Sequence, residues 1–153
     1  MSKTISYRGT IAVGEQERIR LKTINGKRGY KITKFQLMGT KPGDSSGGAP
    51  GTYEYVAQVF TTDQTGSIGP TVNFTDGDLL AAIYYQDSAS AGDNQAETII
   101  FDNMKFNQDI FITLADAAGG TTPANYYIEL ETMTLSDLEA TMITLQSLRT
   151  ISE

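Results

Sequence analysis

Apolar and polar residues alternate with a period of two along most of the chain, the pattern of strands that bury one face. Glu17 to Ile24 shows it most cleanly, with Ile19 and Leu21 facing one way and Arg18, Arg20 and Lys22 the other. Asn25-Gly26 follows. Both central residues of a type I′ turn need positive φ, so this pair predicts a hairpin that returns through Gly29 to Thr40. The returning strand carries Tyr30, Ile32, Phe35 and Leu37. Its apolar phase slips between Ile32 and Phe35, which predicts a β-bulge or a change of partner there. Ile5, Tyr7, Ile11 and Val13 mark an earlier strand of the same kind.

Further strands are expected at Tyr53 to Thr62, Thr71 to Phe74, Glu97 to Phe101, Asp109 to Leu114 and Asn125 to Met133. Leu79 to Tyr85 is a nearly continuous apolar run, read as a strand buried on both faces. Between them lie small-residue loops at Lys41–Gly51, Asp87–Asn94 and Ala117–Pro123. Eight or nine short strands with frequent turns point to an all-β fold, a single jelly-roll-like β-sandwich. The C-terminus breaks the period. Ser136-Asp137-Leu138-Glu139 matches a capping box, and Leu138, Met142, Leu145 and Leu148 recur at helical spacing. The expected division is a sandwich over residues 1–135 and a helical arm of about three turns within 136–153. That helix either caps one end of the sandwich or lays its apolar face on a neighbouring subunit.

Composition narrows the chemistry. The 153 residues include no Cys and no His, which excludes disulfides, thiolate nucleophiles, Cys/His zinc sites and any triad with an imidazole base. Asp63-Gln64-Thr65-Gly66 only faintly resembles an aspartic-protease signature, because Gln64 intervenes where that signature places Thr or Ser. Thr75-Asp76-Gly77-Asp78 and Asp102-Asn103 could offer oxygen ligands to calcium, but turn chemistry accounts for them. Asn73-Phe74-Thr75 matches a glycosylation sequon, but it follows no leader-like apolar stretch. No phosphate-cradling loop occurs, and no apolar run reaches membrane-spanning length. The expectation is a protein without enzymatic activity and without a cofactor or metal.

Charge is unevenly spread. Residues 1–41 carry ten Lys and Arg against two acids, a net +8, while the remainder is −14. Arg18, Arg20, Lys22, Lys27, Arg28, Lys31 and Lys34 would form one basic face along the expected hairpin. A nucleic acid suits it poorly as a partner, because the whole molecule is acidic, at −6. Docking onto an acidic protein surface, or head-to-tail contact between copies, fits better. Leu138, Met142 and Leu145 would then supply the apolar contact.

Several stretches carry a resemblance: Gly9 to Val13, Gly29 to Phe35, Phe74 to Leu80, Ile100 to Asn103 with Phe106 to Phe111, and Asn125 to Leu130. Together they resemble small structural proteins of tailed bacteriophages from marine environments. The resemblance spans most of the chain and rests on strand and turn sequences. It implies a virion component, a capsid decoration or cement protein, made in the host cytoplasm and carried on the capsid surface. Such proteins form small symmetric homo-oligomers and dock where capsomers meet, so the implied partners are the major capsid protein or other virion subunits, with no membrane. Two alternatives stand beside it. One is a carbohydrate- or receptor-binding module of a phage tail or fibre, using exposed tyrosines and the loops at Ser45–Gly51 and Asp87–Asn94. The other is a tail or portal connector.

Overall fold

The computed structural model describes residues 3–21, 27–40, 52–88, 95–101 and 104–152. Along them run eight strands and a helix: β1 (Lys3–Ile11), β2 (Gln16–Ile19), β3 (Arg28–Gly39), β4 (Thr52–Phe60), β5 (Leu79–Ser88), β6 (Gln95–Ile100), β7 (Ile110–Asp116), β8 (Ala124–Thr134) and α1 (Asp137–Ser152). The strands form two antiparallel sheets, one in the order β1-β8-β3 and the other in the order β2-β7-β4-β5-β6. The protein is an all-β sandwich. An eight-stranded jelly roll places its first, eighth, third and sixth strands in one sheet and its second, seventh, fourth and fifth in the other. Here every strand but β6 keeps that order. β6 stays paired with β5, from Ala81↔Ile100 to Gln86↔Gln95, instead of crossing to β3.

β8 shows why the pattern folds this way. Tyr126, Ile128 and Leu130 are buried, while Asn125, Tyr127, Glu129 and Glu131 between them are only partly covered. Ile32, Phe35 and Leu37 of β3 and Ile110, Ile112 and Leu114 of β7 complete the same core from the two sheets. The register of β3 on β8 shifts between Ile32 and Lys34, where the apolar phase slips. Leu79 to Ile83 is buried throughout, as its apolar run predicts. On β4 even the face turned from the core is covered: Gln58 donates to the carbonyls of Thr71 (3.1 Å) and Gly69 (3.5 Å) in the segment that follows the strand.

Four expectations are corrected. The strands flanking Asn25-Gly26 do not form a hairpin: β2 pairs with β7 and β3 with β8, in different sheets. Alternation defines which face of a strand is buried, and that face is the same whether two strands lie side by side or pack across the core. β2 also ends at Ile19, and the Leu21 N–H turns to the Asp109 carboxylate at 2.8 Å. Lys22 and the Asn-Gly pair lie outside the described residues, as do 41–51, 89–94 and Asp102-Asn103. Thr71 to Phe74 is not a strand; Asn73 Oδ1 accepts from Thr75 N (3.0 Å) and Oγ1 (2.6 Å), a local turn. Asp87 and Ser88, expected in a loop, extend β5.

The capping box forms as predicted. Glu139 N donates to Ser136 Oγ at 3.2 Å, and Ser136 N donates to Glu139 Oε1 at 3.5 Å. Asp137 and Glu139 in the first turn complement the helix dipole. Thr141 sits within the helix by donating its hydroxyl to the Asp137 carbonyl, 2.8 Å away. The helix runs 16 residues, longer than the three turns expected.

Candidate contact surface

The basic residues fall on two faces of the sandwich, not one. Arg18 pairs across the ladder with Phe111, on the outer face of the five-stranded sheet. Lys31 and Lys34 stand on the outer face of the three-stranded sheet, in register with Glu131 and Glu129 of β8. They form ion pairs with those glutamates at 3.8 and 3.4 Å. Lys27 pairs with Asp137 at 3.2 Å, and the Arg18 guanidinium meets Asp109 at 2.7 Å while lying over the Phe111 ring. Much of the charge separation seen along the chain is therefore closed inside the fold, by pairing a basic strand with an acidic one some hundred residues later. Arg20 and Arg28 are exposed and hold no ion pair among the described residues.

The acidic turns are structural. Asp63 Oδ1 accepts from Thr65 N, Thr65 Oγ1 and Gln16 Nε2 at 2.6 to 2.8 Å. The Thr65 hydroxyl, the Thr65 amide and Gln16 hold its carboxyl below the usual range. Asp76 Oδ1 accepts from Asp78 N at 2.9 Å, a turn of the same type. Among the described residues no three His, Cys, Asp or Glu gather in a way that could hold a metal ion. Between the sheets, the Tyr126 hydroxyl bonds Glu17, and burial first, then that carboxylate, raises the phenol to about 12.

The helix supplies the clearest unpartnered surface. Its inner face meets the body through buried Ala140 and through Thr144, whose hydroxyl accepts from Asn107 Nδ2 at 3.1 Å. Lys105 pairs with Glu139 at 3.1 Å at the same junction. Leu138, Met142 and Leu145, at i, i+4 and i+7, point away and are 71, 53 and 55% exposed. The sequence places these three on one face, and the structure leaves that face uncovered. A second surface was not foreseen. Because β6 stays with β5, the edge of β3 beyond Tyr30 borders a groove of about 730 Å³ lined by Leu37, Met38, Ile83, Ala96, Thr98 and Tyr126 among others. Its lining comes from both sheets, a juxtaposition that local pattern does not reveal.

The fold and these surfaces define the class: a jelly-roll-type β-sandwich with a docked C-terminal helix. Compared with known proteins, the chain matches no family model and no curated protein. No helix among the described residues is long and apolar enough to cross a membrane.

Proposed function

We propose that the protein is a non-enzymatic structural component of a virus particle, a capsid decoration or cement protein that works by contact with shell subunits. The observation that carries this reading is the outward stripe of Leu138, Met142 and Leu145 on a helix whose opposite face is already docked. Large apolar side chains aligned on one exposed helix face mark a surface meant to be covered. The jelly-roll winding adds support by analogy only, since shell proteins use that fold among many other proteins. The sequence resemblance to marine phage structural proteins points the same way.

Magnitudes shape the mechanism. Covering three half-exposed side chains is worth roughly 1.5–3 kcal/mol each at most. Association costs about 4–15 kcal/mol in lost freedom. The stripe therefore acts within a larger contact or through several copies at once, as in a symmetric oligomer on a repeating shell. Of the seven basic residues expected to dock, Arg20 and Arg28 are the described ones without an ion pair and would orient it.

Quantitative mass spectrometry of particles purified from the producing culture tests this. Copies on the order of hundreds per particle support a shell role; about six or twelve support a tail or portal ring instead. Absence from the particle overturns the virion reading.

A further inference from the structure

The outer face of the five-stranded sheet carries a row of polar residues where an apolar or fully solvated row would be ordinary. Gln16, Thr113 and Gln58 are ladder neighbours on β2, β7 and β4. Two of them are deeply buried: Gln58 is 4% exposed and Thr113 2%. The segment from Thr61 to Asp78 arches over this row and is fastened at two places by the two glutamines. Gln16 holds the near end, donating to Asp63 Oδ1 (2.6 Å) and accepting from Gln64 N (2.9 Å). Gln58 holds the far end through the carbonyls of Gly69 and Thr71. Under the span, above Thr113, the arch covers a partly open cavity of about 140 Å³.

Its walls have a definite chemistry. Phe60 and Ile68 are the apolar part, and Ser67, Asn73 and Asp76 bring polar groups from the arch. The bonds Gln58 makes to the protein are both donated by Nε2, so Oε1 is what this side chain offers the cavity. Asn73 spends Oδ1 on Thr75, so its amide nitrogen is the donor it has left. Asp76 spends one carboxylate oxygen on Asp78 N and keeps the other. Both donors and acceptors thus line a small space whose one formal charge is negative.

We propose that this cavity is a binding site for a small uncharged polyol or a single sugar unit. A hydroxyl both donates and accepts, so it satisfies such a mixed lining, whereas an anion would meet Asp76. The volume equals four to five waters at about 30 Å³ each, the size of a short polyol. The ring of Phe60 and the side chain of Ile68 suit the C–H surface of such a molecule. This site is independent of the helix stripe and does not rest on the virion reading.

The test is a titration of the isotope-labelled full chain with glycerol, erythritol and D-glucose, with sodium sulfate as the anionic control, followed by amide NMR. Saturable shifts with at least one polyol, centred on Gln58, Gly69 and Thr113 and absent with sulfate, are expected. Thr113→Val keeps the side-chain shape and removes the hydroxyl, and should weaken binding about tenfold, the worth of roughly one hydrogen bond. Should that variant fail to fold, Ser67→Ala on the exposed rim gives the same comparison. No saturable shift with any polyol, equal binding by sulfate, or unchanged affinity in the folded variants overturns the proposal and leaves a hydrated arch.

Discussion

Asp109 decides what Arg18 is for. The carboxylate does two jobs: Oδ2 takes the Arg18 guanidinium through Nε at 2.8 Å and Nη2 at 2.7 Å, and Oδ1 accepts the Leu21 N–H at 2.8 Å. The ion pair is about half exposed on the arginine side, so its worth is roughly 0.2–1 kcal/mol. The Leu21 amide belongs to a buried residue, and leaving it without an acceptor costs about 1–3 kcal/mol. Asp109→Ala should therefore destabilise by about 2–3 kcal/mol. Asp109→Asn keeps an acceptor for Leu21 and should cost about 1 kcal/mol or less. Arg18→Ala should also cost about 1 kcal/mol, since it loses the pair and the contact with the Phe111 ring. Urea unfolding at constant m-value reads all three. If Asp109→Ala costs no more than Asp109→Asn, the Leu21 bond is not what holds the chain where it leaves β2. If Arg18→Ala leaves stability untouched yet weakens attachment to a particle, Arg18 returns to the docking surface.

Gly29→Ala would place a Cβ 2.6 Å from Leu135 Cδ2 and 2.9 Å from its Cγ, so a loss of about 1–3 kcal/mol from overpacking is expected; equal stability by urea melt would mean that Leu135 yields freely. Tyr126 holds its proton to about pH 12 in the folded chain and to about 10 when unfolded. Its contribution is therefore whole below pH 10 and declines from there to about 12, and Tyr126→Phe should flatten part of that decline in urea midpoints. Tyr7 and Tyr84, also raised by burial, keep some slope, but a Tyr126→Phe curve as steep as the wild type contradicts the assignment. Replacing Leu138, Met142 and Leu145 together by Ser should change stability by no more than about 0.5 kcal/mol per site, because more than half of each side chain is exposed among the described residues. On the proposed reading the same variant loses particle occupancy, and full occupancy refutes the role of the stripe.

Local features were legible because local physics decides them. The alternation in β8, the phase slip after Ile32 and the capping box at Ser136 each depend on residues within one or two turns of chain, and each is present. The Asn25-Gly26 hairpin failed as a pairing because turn propensity is local, whereas β3 finds eleven register partners along β8, far more than the four-residue β2 could offer, and β2 pairs with β7 in the other sheet. The basic face failed for a related reason. Lys31 and Lys34 are opposed by Glu131 and Glu129, and no local rule pairs residues that far apart. For the arch over Thr113 the sequence predicts turns and a strand; the turns are present, the strand is not, and the signal for its closure lies in two glutamines, Gln16 and Gln58, which look like ordinary exposed strand residues.

The displacement of β6 gives the candidate surfaces their arrangement. An unpaired strand edge invites unwanted pairing. On β3 the bulge after Ile32 and the lysine that follows it blunt that tendency, and the Tyr30↔Phe106 bridge closes the start of the edge. The segment that makes this bridge also holds the helix, through Lys105 and Asn107. The helix is thus tied to the Arg28 end of β3, where Lys27 also meets Asp137, whereas the groove opens near Leu37 and Met38. At about 3.3 Å per residue those ends lie roughly 30 Å apart. One small patch cannot cover both. If both are contacts, the protein touches its surroundings at two ends of a single strand, and on the proposed reading it would bridge two neighbouring partners rather than sit on one.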